Sequence, residues 1–360
     1  MMNPPSKPTP KTLLLVLFTL IGSVCPGCMC GYELSAVLGQ INLLLNAQTI
    51  ESALAGNDLT DTQRESLQYA VVARDYAAGV LGLNLATSYQ GFYDTRGQAL
   101  AWNISASHKD RLEAVTWDLP FVGALPYLGF FDSAQAMDFY ESLIEDYDVY
   151  MYEVDAYSTL GVLPDPIYSS ILERDTIDLP ELIFHELTHN TVSRANDTDF
   201  NESIAVYVSR IATVQFLAHT HGADSELIAQ ARGRFADEDL FTDWVDQLCS
   251  DPTTYYTSQN DPAQAIIGRE AIILAAQERF TTDVLPLISE PNRYGGVATA
   301  ELDNALLLAW KRYHSRFDLF EQVGALLEDN VPAILDVFIS ASGAENWTAY
   351  LTYWIETRSP

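Results

Sequence analysis

The chain has 360 residues, 48% of them hydrophobic, and its 49 acidic and 19 basic side chains give a formal net charge of −30. Length and apolar content suit a packed core of one large or two modest domains and exclude a disordered chain. So acidic a surface disfavours nucleic acid and anionic membranes as partners and favours cationic groups, a peptide amino terminus among them.

Residues 1–27 read as a signal peptide. Lys7 and Lys11 precede an apolar run from Leu13 to Val24. That run is too short to span a bilayer and suits the core of a secretion signal. Cys25, Cys28 and Cys30 follow, and Gly27-Cys28 has the form of a lipobox end, with Cys25 where Leu is usual. The expectation is export to the periplasmic side of a bacterial envelope with a lipid anchor at Cys28; cleavage without lipidation is the alternative. No later stretch is apolar for 18 residues, so no transmembrane helix is expected in the mature chain. Cys249 is the only cysteine outside the cluster, which leaves a Cys30–Cys249 disulfide open.

Apolar residues at helical spacing predict helices over 32–47 and 60–81. Residues 98–106 and 148–156 alternate and are rich in β-formers, which predicts two strands. Pro120, Gly123, Pro126 and Gly129 punctuate an aromatic loop between them, and a helix is expected over 132–145. From Asp178 onward the pattern is mostly helical: 179–194, 200–219, 224–248 with a break, 261–282, 301–328, 332–341 and 345–356. The expected fold is α+β and predominantly helical, a small sheet beside a large set of helices. The expected division is a catalytic region over 28–220 and a helical C-terminal region over 221–360, packed on the same unit.

The chemistry is concentrated in His185-Glu186-Leu187-Thr188-His189. Histidines at i and i+4 on a helix lie one turn apart on one face, which suits two imidazole ligands of Zn²⁺. Glu186 follows about 100° around the helix. From there its carboxylate can take a proton from a water on the metal. Asp178, Pro180 and Glu181 suit a helix start. A catalytic zinc wants a third protein ligand and one open position. Glu202, 13 positions after His189, opens the next helix, and the short link lets it turn back toward the histidines. Its bland alternative is a capping box, Asp199-x-x-Glu202. His219 and His221 lie at the far end of that helix, His219 roughly 25 Å from Glu202 along the axis, and cannot share one ion with it.

These motifs resemble the gluzincin metallopeptidases, in which HExxH is followed by a glutamate ligand in an Asn-Glu-x-x-Ala-like segment, here Asn201-Glu202-Ser203-Ile204-Ala205. More closely, the chain resembles a bacterial family of predicted aminopeptidases. Gly31-Tyr32, Gly39-Gln40, Trp102-Asn103, the loop from Pro120 to Phe131, the segment from Ala156 to Gly161, and Asp165-Pro166 match that family's motifs in order. The resemblance implies a one-zinc peptidase with His185, His189 and Glu202 as ligands and Glu186 as general base. It also implies a tyrosine hydroxyl to stabilise the oxyanion. Tyr157 is the first candidate, at the end of the second strand; Tyr207 and Tyr294 follow. In related folds an edge strand before the metal helix pairs with substrate backbone, a place that 148–156 would fill. Glu153, Asp155 and Asp165 near its end could then hold a free amino terminus. The expected function is zinc-dependent aminopeptidase action on envelope peptides. An endopeptidase and a catalytically silent zinc-binding envelope protein are the alternatives. No Gly-x-Ser-x-Gly elbow surrounds Ser158, which argues against a serine hydrolase.

Overall fold

The computed structural model describes residues 39–119, 123–156, 164–259, 261–312 and 317–358. The signal peptide, Cys28, Cys30 and Tyr157 therefore lie outside the described residues. A helical stretch at 39–46 opens the described chain. The strands are β1 (Gln48–Thr49), β2 (Gly91–Tyr93), β3 (Ala101–His108), β4 (Trp117–Leu119), β5 (Gly123–Leu125), β6 (Leu128–Phe130), β7 (Tyr147–Val154) and β8 (Ile167–Tyr168). The first helices are α1 (Ile50–Ala55), α2 (Asp61–Gly79), α3 (Ser133–Leu143), α4 (Asp178–Thr191) and α5 (Thr198–His221). The rest are α6 (Glu226–Ser258), α7 (Pro262–Arg279), α8 (Asn304–Lys311), α9 (Phe317–Leu326), α10 (Val331–Ser342) and α11 (Trp347–Glu356). Helix dominates a small amount of sheet, the α+β class expected.

Local chemistry sets several boundaries. The Thr60 hydroxyl accepts from the Gln63 amide while the Gln63 side chain accepts from the Thr60 amide, a capping box that starts α2. Asp132 starts α3 by accepting from the Gln135 amide. The two predicted strands pair antiparallel, from Ala101 opposite Val154 to His108 opposite Tyr147. The strand order is β6-β3-β7, so β7 is an edge of this sheet. The second sheet, β1-β2-β8, sits under α1 and α2 and shares their core.

Three expectations need correction. The segment read as an aromatic loop carries strands: β4 and β5 form a hairpin, and β6 joins β3 with Trp102 opposite Phe130. Pro and Gly mask strands this short. The break within 224–248 is absent, because α6 runs unbroken to Ser258 through Pro252. Pro252 leaves a carbonyl of the preceding turn without its amide, and the Thr253 hydroxyl bonds the adjacent Cys249 carbonyl at 2.8 Å. The single helix expected over 301–328 is two, α8 and α9.

One core joins α2, α4 and α5 to the C-terminal α9, α10 and α11 through Phe184, Phe216, Phe320 and Phe338. A second lies among α6, α7 and α8 around Trp244 and Phe280. The sheet β6-β3-β7 buries Ile104, Leu128 and Val149 against Ala136 of α3. The C-terminal helices also grip that sheet by polar contacts. Arg269 of α7 donates to Asp148 of β7 at 2.9 Å, and the Asn304 amide group donates to the His108 carbonyl at 2.9 Å. Asp148 and Arg269 are both largely buried, so removing either charge would strand the other.

Candidate active site

The Asp175 carboxylate accepts from the amides of Ile177 and Asp178, both at 2.9 Å, and so starts α4. Leu179, Ile183, Phe184 and Leu187 then face the core. The opposite stripe, Glu181, Leu182, His185, Glu186 and His189, faces a cavity. After Thr191 the chain reverses. Asn196 takes a left-handed φ of 60°. The Asn201 side chain braces the turn, accepting from the Arg194 amide at 2.7 Å and donating to the Arg194 carbonyl at 2.9 Å. Asp197, not Asp199, caps α5 by accepting from the Phe200 amide at 3.1 Å. The Asp199-x-x-Glu202 capping box therefore does not form, and the Glu202 side chain is directed at α4.

His185 Nε2 and His189 Nε2 are 3.2 Å apart, and Glu202 Oε2 lies 3.3 Å from the first and 3.7 Å from the second. Ligand bonds of about 2.0–2.1 Å at tetrahedral angles place donor atoms roughly 3.3 Å from one another. The three donors thus fit one ion, and two imidazoles with a carboxylate are a donor set that divalent transition metals take. Glu202 is partly buried, which opposes its charge, but His189 and His185 outweigh this and hold its carboxyl well below the usual range. Burial opposes the charged form of His189 too, and Glu202 overrides this, raising the imidazole. Glu186 is 9% exposed. Burial raises its carboxyl, with His185 and His189 acting in the other direction.

The cavity beside these groups has a volume of ≈ 760 Å³. Tyr152 and Val154 of β7 form one wall, so the sheet edge runs along it. Glu153 and Asp155 also line it, with Asp155 bonded to Arg174 at 3.2 Å. Asp165 is not on the lining: it is 2% exposed beside the Ser88 hydroxyl. Tyr207 packs on Phe320 and Phe338, and Tyr294 on Phe241, so neither reaches the cavity. His219 stacks near Tyr76, and His221 Nε2 meets the Tyr69 hydroxyl at 3.3 Å, both away from the cavity.

The family model described as Putative aminopeptidase matches residues 31–339. The chain belongs to the Putative aminopeptidase family. No curated protein and no solved structure matches it. Membership places the chain among the peptidases. Among the described residues, no helix is long and apolar enough to cross a membrane.

Two lining residues of this aminopeptidase-family chain escape the sequence reading. Tyr127 lies in the matched Pro120–Phe131 segment, which gave it a place but no role. Burial raises its phenol strongly, and the charges of Glu202 and Glu186 add to this. The Arg312 guanidinium sits 5.1 Å from its ring centroid. Glu181 lies four positions before His185 and reads in sequence as an ordinary first-turn acid; only the fold shows that it faces the cavity.

Proposed function

We propose that the chain is a zinc-dependent aminopeptidase of gluzincin type. His185, His189 and Glu202 would hold one Zn²⁺. The observation that supports this most strongly is the convergence of their three donor atoms on one point beside the cavity. When bound, zinc supplies Lewis acidity, lowering the pKa of a water and polarising a carbonyl. Glu186 is the general base: its carboxylate takes the proton of the attacking water and returns it to the leaving amine. Its low exposure lets that proton move without competition from bulk solvent. The β7 edge, with Tyr152 and Val154 on the cavity wall, would align the substrate backbone by strand addition.

Tyr157 is proposed to stabilise the oxyanion, from its place in the matched Ala156–Gly161 segment. Tyr127 is the second reading, favoured by its position on the cavity wall beside Glu202 and Glu186. The region 28–220 would form the catalytic part and 221–360 a helical part packed against it. The signal at 1–27 and Cys28 would place the protein, lipid-anchored, on the periplasmic side of the envelope, acting on peptides there.

The test is removal and return of metal. Chelation should abolish hydrolysis of leucine 4-nitroanilide, and one equivalent of Zn²⁺ should restore it. Undiminished hydrolysis by metal-free protein would refute zinc dependence.

A further inference from the structure

The cavity extends from the His-His-Glu group toward the N-terminal end of α4. There Glu181, Ser209 of α5, Glu238 of α6 and Arg293 line it. Most charges at this end are already matched. Arg210 holds Glu238 at 2.8 Å and Asp239 at 2.6 Å. Asp178 is bridged by Arg234 at 2.7 Å and Arg293 at 3.0 Å. Farther along, Asp155 is taken by Arg174 at 3.2 Å. Glu153 is exposed and meets solvent. Glu181 differs from all of these: it is partly buried, faces the cavity, and has no side-chain hydrogen bond or ion pair among the described residues.

Resting on the peptidase reading of this site, we propose that Glu181, backed by Glu238, is the subsite that receives a primary ammonium group of the substrate. Glu181 sits four residues before His185 on one helix face, so the two side chains start about 6 Å apart along the axis. That offset lies within reach of an amino-terminal residue whose carbonyl sits at the His-His-Glu group. Burial pushes the Glu181 carboxyl up to about 8, and Glu238 and Asp178 add to this while Arg210 and Arg293 oppose it. A carboxyl held in this way takes its charged form more readily when a cation enters beside it. The ammonium could be the α-amino group or the tip of a lysine side chain, which share this chemistry.

The test is calorimetric titration of leucinol, N-acetyl-leucinol, lysinol and norleucinol, none of which presents an aminoacyl bond to cleave. They are titrated into the whole wild-type protein and into Glu181→Gln and Glu181→Asp. Wild type should favour leucinol over N-acetyl-leucinol if the α-ammonium is read, or lysinol over norleucinol if the side chain is read. The preference should be about ten- to a hundred-fold. Glu181→Gln should erase it without weakening the ligand of that pair that lacks the ammonium being read, and Glu181→Asp should restore part of it. No preference in wild type, an unchanged preference in Glu181→Gln, or an equal loss for all four ligands overturns the proposal. A Glu181-dependent preference in a protein that hydrolyses no aminoacyl anilide would uphold the subsite and overturn the peptidase reading instead.

Discussion

Glu202 Oε2 lies 3.3 Å from His185 Nε2, although the two side chains come from different helices joined by a tight reversal. The reversal depends on Asn201, whose side chain bonds both the amide and the carbonyl of Arg194. Asn201 therefore positions Glu202 as its chain neighbour and as the brace of the turn that aims it. Because Asp197 performs the cap, Glu202 is spared that task and contributes nothing to helix initiation.

That division of labour separates metal binding from folding. Glu202→Ala should lower zinc affinity by more than about ten-fold while leaving the helix content of the metal-free protein nearly unchanged. Metal content by atomic spectroscopy and circular dichroism check the two halves. Full zinc occupancy in this variant would remove Glu202 from the ligand set.

The oxyanion assignment is decided by removing single hydroxyls. Tyr157→Phe should lower kcat by about 10²-fold with zinc retained. If Tyr157→Phe is neutral and Tyr127→Phe carries the loss, the role belongs to Tyr127. The stack of Arg312 on Tyr127 is kept by phenylalanine, so a loss in Tyr127→Phe reports the hydroxyl and not the ring.

A pH dependence of stability follows from Arg234. Its guanidinium, 7% exposed as a residue, bonds Asp175, Asp178 and Glu290. Partial burial pushes the Asp175 carboxyl up, but hydrogen bonds from Arg234 and from the Asp178 and Ile177 amides bring it down to about 2. A folded value below the unfolded one means stabilisation that is complete above about pH 4 and lost as pH falls through about 2. Arg234→Met should cost about 2 kcal/mol at neutral pH, and the gap from wild type should shrink between about pH 4 and 2. Urea unfolding across that range checks it; a gap that widens on acidification would contradict the assignment.

The parts of this site that sequence makes legible are those fixed by local geometry. Histidines at i and i+4 must share a helix face, so His185 and His189 could be paired before any fold was known. Glu202 needed only the short link to bring it back. The alternation of β3 and β7 was visible because both strands are eight residues long. Strands of two or three residues carry too few positions to show a period, which hid β4, β5 and β6. Glu181 and Tyr127 were illegible as site residues for another reason. Their places on one cavity lining with His185 and Glu202 come from segments far apart in sequence.

The central claim is that Glu186 moves the proton while His185, His189 and Glu202 hold the ion. Glu186→Gln keeps size and shape and removes only the base. The measurement is zinc stoichiometry together with kcat on leucine 4-nitroanilide for that variant. The account predicts one bound zinc and a loss of kcat on the order of 10²–10⁴-fold; one bound zinc with wild-type turnover would contradict it.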